Sequence, residues 1–223
     1  IGQLLTILFV MVVINAINFV DGLDGLATGI VAICAMAFFG FSYLLAVVNG
    51  LNRAGAPSLI TAIIIGVCIG FLPHNYHPAR IFMGDSGAMF LGLLLSAAAI
   101  TLTGQIDLNA ITNQSSNKVL LPLLLPFSVL AIPLIDLSMA IVRRLRAGRS
   151  PFAADKEHLH HKLLSMGNSH RRTSAILYSW TAMFAFPTAI AAFAPIWVAL
   201  VVGLAIFIFS FALIRKSLVT ANV

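Results

Sequence analysis

Long apolar runs separated by short polar stretches fill the chain of 223 residues almost from end to end. A helix needs about 20 mostly apolar residues to cross hydrocarbon, where every backbone polar group must be satisfied within the segment. Seven runs reach or approach that length, at about 1–18, 27–48, 58–73, 86–104, 119–142, 173–194 and 196–214. The third is short, and Pro195 divides the last two, since proline ends the helix before it. The pattern therefore predicts an all-α, polytopic membrane protein with about seven transmembrane helices in one domain over residues 1–223.

Composition supports this. Hydrophobic residues make up 60% of the chain and charged residues 9%, against about 25% charged in soluble domains, and the mean hydropathy is +1.03. Cys34 and Cys68 both lie inside apolar runs and read as core residues, not as a disulfide framework. The net charge of +6 would suit nucleic acid if it formed one patch. Instead, the Lys and Arg residues flank the spans, so they read as orientation signals and no nucleic-acid partner is expected. Eleven of the thirteen fall in the loops 19–26, 74–85 and 143–172 and the C-terminal tail, and two, Arg53 and Lys118, on the other side. Positive residues favour the cytoplasm, which places the first set of loops there and the protein in the plasma (inner) membrane. Ile1 opens directly inside an apolar run with no signal-peptide pattern, and is read as lying within a span of a longer protein.

The ionisable residues gather on the same loops. Five of seven acids, Asp21, Asp24, Asp85, Asp155 and Glu157, and all six histidines lie there. Each costs about 2.5–3.5 kcal/mol at the centre of a membrane helix, so their convergence points to an active site. In NAINFVDGLDGLA (15–27), Asn15, Asn18, Asp21 and Asp24 recur every third residue, and Gly22 and Gly25 let the backbone leave the helix. The plainer reading is a capped helix end. In FMGDSGAMFLG (82–92), Asp85 precedes an apolar helix and suits an N-cap or a ligand for Mg²⁺ beside a phosphate. In SPFAADKEHLHHKL (150–163), His158, His160 and His161 lack the spacing of a zinc site. They stand among Arg143, Arg144, Arg146, Arg149, Lys156 and Lys162, which fits an anion site better, a solvated basic loop being the plainer reading. Asp136, inside the fifth run, has two readings, lining the site or pairing with Arg143 or Arg144, and the sequence does not choose between them.

NAINFVDGLDGLA, FMGDSGAMFLG and DKEHLHH, in that order and on those loops, resemble the polyprenyl-phosphate N-acetylhexosamine-1-phosphate transferase family. IPLIDLSMAIVRRLRAGRSPF is similar to its N-acetylglucosamine branch. The resemblance covers essentially the whole chain. It implies transfer of a sugar-1-phosphate from a UDP-sugar to a polyprenyl phosphate lipid, release of UMP, dependence on Mg²⁺ with Mn²⁺ as a substitute, a family fold of ten to eleven spans, and a homodimer. By the same resemblance Asp85 matches the metal-binding aspartate, Phe82 an aromatic that stacks on uracil, and Asn75 an amide that contacts the nucleoside. Asn18, Asp21 and Asp24 match the acidic loop around the nucleotide, and His158, His160 and His161 the histidine motif near the pyrophosphate. The family also carries an adjacent Asp-Asp pair on an earlier loop. No Asp-Asp occurs here, which is read as truncation, so the fragment alone is expected to be inactive. The competing class is a transporter with an intramembrane ionisable site, but no motif occurs twice as internal repeats would require.

Overall fold

The computed structural model describes residues 1–48, 55–104, 117–150 and 158–220. Arg53, Asp107, Asp155, Lys156 and Glu157 lie outside the described residues. Those described form α1 (Gly2–Val20), α2 (Leu26–Val48), α3 (Gly55–Asn75), α4 (Gly84–Gly104), α5 (Asn117–Val129), α6 (Ala131–Arg146), α7 (Leu159–Ser165), α8 (His170–Ala191) and α9 (Ile196–Thr220).

Six helices, α1 to α4, α8 and α9, are long and apolar enough to cross a membrane. The turn at Pro195 falls where the sequence places it, with the Val198 N–H donating to the Pro195 carbonyl. The third run is longer than expected because α3 continues through Pro73 to Asn75.

The fifth run departs from the expectation of one span over 119–142. It is two helices, and its axis turns by 68° at Leu130. Alone, α5 has 13 residues and α6 has 16, each short of the roughly 20 that a span needs. Pro133 accounts for the break: it has no N–H to donate to the Val129 carbonyl four residues back. That carbonyl instead accepts the thiol of Cys34 from α2 at 3.1 Å. A buried backbone acceptor must find some partner, and here the partner comes from another helix.

The core centres on α2, the most enclosed helix, which packs against α3, α4 and α8. Ile30, Phe38 and Phe41 of α2 are fully buried with Ile17 of α1 and Ile64 of α3. The most exposed helix is α9, which presents Leu200, Leu204, Phe207 and Ile208 outward, the surface expected to face lipid.

Close helix approach in a bilayer relies on small residues, because apolar burial alone does not drive it. At the crossing of α1 and α4, a Cβ on Gly92 would sit 2.9 Å from the Ile14 Cα and 3.3 Å from the Val13 carbonyl oxygen. Gly92→Val should therefore lower the thermal midpoint of the detergent-solubilised protein, with an overpacking cost of about 1–3 kcal/mol or more. Gly40→Val, at a position with open space within 4 Å, is the control and should change little. An unchanged midpoint for Gly92→Val would show that the two helices do not cross there.

Candidate active site

The polar connections at one end of the bundle meet, and named side chains tie them together. The first runs from the end of α1 to the start of α2. Asn15 and Asn18 share the last turns of α1, but their amides part: Asn15 donates back to the Met11 carbonyl at 2.7 Å, and Asn18 donates to Asp85 Oδ1 at 3.0 Å. The helix stops at Val20, and Gly25, at φ 74°, takes the left-handed conformation that reverses the chain into α2. Asp21 and Asp24 thus leave the helical register and face different partners.

Asp24 Oδ2 lies 2.8 Å from His77 Nδ1 and accepts the Ala79 N–H at 3.1 Å. Burial acts to raise this carboxyl, but the His77 hydrogen bond, the Ala79 N–H and the nearby imidazoles hold it below its ordinary value. Among the described residues Asp21 has no such donors. Burial, then the charges of Asp85 and Asp24, push it up to about 7. Two carboxyl groups of one loop, three residues apart, are driven in opposite directions by their neighbours.

Asn75, at the end of α3, is 2% exposed. Its Oδ1 accepts from the Gly25 N–H and the Thr28 hydroxyl, and its Nδ2 donates to the Ile81 carbonyl. These bonds fasten the first connection to the second. Phe82 lies a few residues on, 75% exposed and beside a cavity of about 220 Å³ lined by Thr28, Cys68, Phe71, Met83 and Phe90 among others. Asp85 follows, exposed, in the first turn of α4.

The third connection carries α7. His158 stands at its N-cap position, and Asp136 of α6 reaches both that ring and the start of the helix: Oδ2 is 3.0 Å from His158 Nδ1, and Oδ1 accepts the Leu159 N–H at 2.8 Å. The His158 ring lies 5.4 Å from the Phe19 ring, over which the Arg144 guanidinium sits at 5.5 Å. The His160 ring is parallel to it at 5.8 Å and packs on Gly22, where a Cβ would come within 2.3 Å of Nε2. Among the described residues that buried Nε2 has no hydrogen-bond partner. Burial, with the neighbouring imidazoles, lowers His160 to about 4, so it is neutral near pH 7. His161 is exposed, with its ring 4.2 Å from that of His160. At the start of α8, Arg171 donates to the His77 carbonyl and His170 stacks on His77 at 4.6 Å.

Asn18, Asp21, Asp24, Asn75, Phe82, Asp85, His158 and His160 are thus gathered by three connections that the sequence identified separately. Spacing did not reveal Asp136 as the partner of His158, or His77 as the partner of Asp24. The one available signal was the cost of a carboxyl inside an apolar run, which marks Asp136 as a group in need of a partner. Asp21 and Asp85 form a donor set suited to Mg²⁺, which takes one or two carboxylates and completes its shell with water and substrate phosphates. A cation there would offset the burial and the carboxylate repulsion that together raise Asp21. Among the described residues no three His, Cys, Asp or Glu side chains group as a protein-only metal cage.

Comparison with known proteins gives a consistent picture. Residues 1–103 match the family model for glycosyl transferase family 4. The chain is 49% identical to a decaprenyl-phosphate N-acetylglucosaminephosphotransferase of Mycobacterium leprae over 164 residues, 73% of this chain and 41% of that protein. It is 33% identical to a probable undecaprenyl-phosphate N-acetylglucosaminyl 1-phosphate transferase of Bacillus subtilis, over 67% of this chain and 39% of the relative. An undecaprenyl-phosphate alpha-N-acetylglucosaminyl 1-phosphate transferase of Escherichia coli is 31% identical over 71% of this chain and 41% of its own length. The chain spans about two-fifths of the length of these curated relatives.

The raised Asp21 carboxyl has a consequence for stability. A proton held more tightly in the folded than in the unfolded state stabilises the fold at low pH, and that contribution is lost as pH rises from the ordinary carboxylate range through about 7. In metal-free buffer the thermal midpoint should fall across this window, and Asp21→Asn should flatten the fall. A wild-type profile no steeper than that of Asp21→Asn would show that Asp21 is not perturbed.

Proposed function

This chain belongs to glycosyl transferase family 4, and from that premise we propose that it forms the part of a membrane enzyme that moves N-acetylglucosamine-1-phosphate from a UDP-sugar to a polyprenyl phosphate. In that reaction an oxygen of the lipid phosphate attacks the β-phosphorus of the UDP-sugar, the bond to the bridging oxygen breaks, and UMP leaves. The observation that carries the reading is the junction of the three connections, tied by Asn18 to Asp85, by Asn75 to Gly25 and Thr28, and by His160 on Gly22.

Each part of the junction has a task that its chemistry suits. Asp85 and Asp21 would hold Mg²⁺, with Asn18 fixing the Asp85 carboxylate. Mg²⁺ supplies charge neutralisation for the diphosphate. Phe82 offers an exposed ring on which the uracil stacks. Asn75 acts by locking the loop that carries Phe82, and Asp24 by holding His77 and Ala79 in place. His158 and His161 face the phosphates. The Lys and Arg of these connections draw an anionic substrate to this end of the bundle, and their excess over the other side supports a site facing the cytoplasm.

The test is transfer of radiolabel from UDP-N-acetylglucosamine into a lipid extract by membranes that contain the full-length protein. Transfer is the expected result, and none with any UDP-N-acetylhexosamine and Mg²⁺ would overturn the reading. Asp85→Asn should abolish transfer while leaving the yield of folded protein unchanged, since the amide keeps the shape but loses a metal ligand. Near-normal activity would reduce Asp85 to a helix-end residue. Phe82→Ala should raise the KM for the UDP-sugar about tenfold, as expected for losing one base-stacking contact of about 1–3 kcal/mol, and Phe82→Trp should keep it near wild type. A KM unchanged by alanine would remove Phe82 from the uracil site.

A further inference from the structure

We propose that Asp136 is the positioning residue for His158, holding Nδ1 so that Nε2 is the ring nitrogen presented to substrate phosphate. This rests on the transferase reading of the site.

Three observations lead to it. Asp136 lies on a helix of the fifth apolar run yet is 2% exposed, so its carboxyl is withdrawn from both water and lipid. A buried acid at that depth is costly without partners, and both of its oxygens are used on one target, His158 Nδ1 at 3.0 Å and the Leu159 N–H at 2.8 Å. The target is the residue that opens α7, so the carboxyl fixes the ring and the backbone that carries it. Finally, the faces of the His158 ring are held as well as its edge, by Phe19 at 5.4 Å and by the parallel His160 ring at 5.8 Å.

The chemical consequence follows from the tautomer. A carboxylate that accepts from Nδ1 keeps the ring proton there, so the neutral ring carries its lone pair on Nε2. Nε2 can then take a proton from a phosphate hydroxyl, and the imidazolium formed is stabilised by the carboxylate on its far side and can return the proton from the same atom. This is the division of labour of a carboxylate–imidazole pair, in which the acid orients the base and does not itself take the proton. Arg144, whose guanidinium covers the other ring of the Phe19 contact, adds positive charge beside the same imidazole and favours the approach of an anion.

Asp136→Asn separates this role from simple support. The asparagine oxygen can still accept the Leu159 N–H and so keep α7 in place, but its NH₂ meets His158 Nδ1 and drives the ring proton to Nε2. We expect kcat to fall by about 100-fold or more, with the KM for the UDP-sugar within about threefold of wild type. In a His158→Ala background the same substitution should cost nothing further, since its effect passes through the ring. Activity near wild type, or losses that multiply with those of His158→Ala, would overturn the proposal. The second arm needs no turnover. In protein labelled with ¹⁵N-histidine and reconstituted in bilayers above the ordinary histidine pKa, the His158 resonances, assigned by difference against His158→Ala, should report N–H at Nδ1 in the wild type. N–H at Nε2 alone would overturn the assignment even if every variant were unstable. A wild-type protein that transfers no sugar phosphate, yet shows the Nδ1 tautomer, would sink the transferase reading and leave the pairing standing.

Discussion

The polar end of this bundle depends on the amide of Asn75. One buried side chain accepts two hydrogen bonds from the start of α2 and donates one to the chain leading into α4. The connections it joins carry Asp21 and Asp24 on one side and Phe82 and Asp85 on the other. An unmade hydrogen bond to a buried polar group costs about 1–3 kcal/mol, so an Asn75 with all its partners strongly favours one relative placement of the two loops. The carboxyl pair Asp21 and Asp85 gains its mutual influence from that placement.

The site combines groups with opposite electrostatic needs. Asp24 is held ionised by His77 and a backbone N–H, Asp21 is pushed toward protonation, and His160 is kept neutral by burial. A cation and a diphosphate arriving together would satisfy the acids and the bases at once. Neither the acidic first connection nor the basic third one is suited to its own charge alone, so their juxtaposition belongs to the chemistry as much as the individual side chains do.

Much of this was legible in the sequence. Six candidate spans follow directly from apolar run length, and Pro195 marked its turn. The acids and histidines fall on common connections because their cost in hydrocarbon leaves few other places for them. The break at Leu130 was not legible, since proline within an apolar run is tolerated by many membrane helices and Pro133 by itself does not say whether the helix bends. The pairing of Asp136 with His158 spans 22 residues and two elements, so no periodicity encodes it. Asn75 read as a substrate contact by resemblance, and no pattern in the sequence shows the hydrogen bonds its amide makes to Gly25, Thr28 and Ile81, which depend on which atoms surround it. The seven-residue α7 is too short to show a helical pattern of its own.

The thiol of Cys34 on the Val129 carbonyl has a bearing on assembly. That carbonyl loses its usual partner to Pro133 and finds another only when α2 lies alongside, 95 residues away in sequence. Before docking, that acceptor is bare in hydrocarbon whether the run through α5 and α6 is straight or bent, because Pro133 has no N–H to give it in either form. The association of inserted helices, the second stage of membrane-protein assembly, supplies the missing donor from α2 and so favours the bent form. Asp136 lies on α6 beyond the break, so the direction from which it meets His158 is tied to the same contact between α2 and Val129.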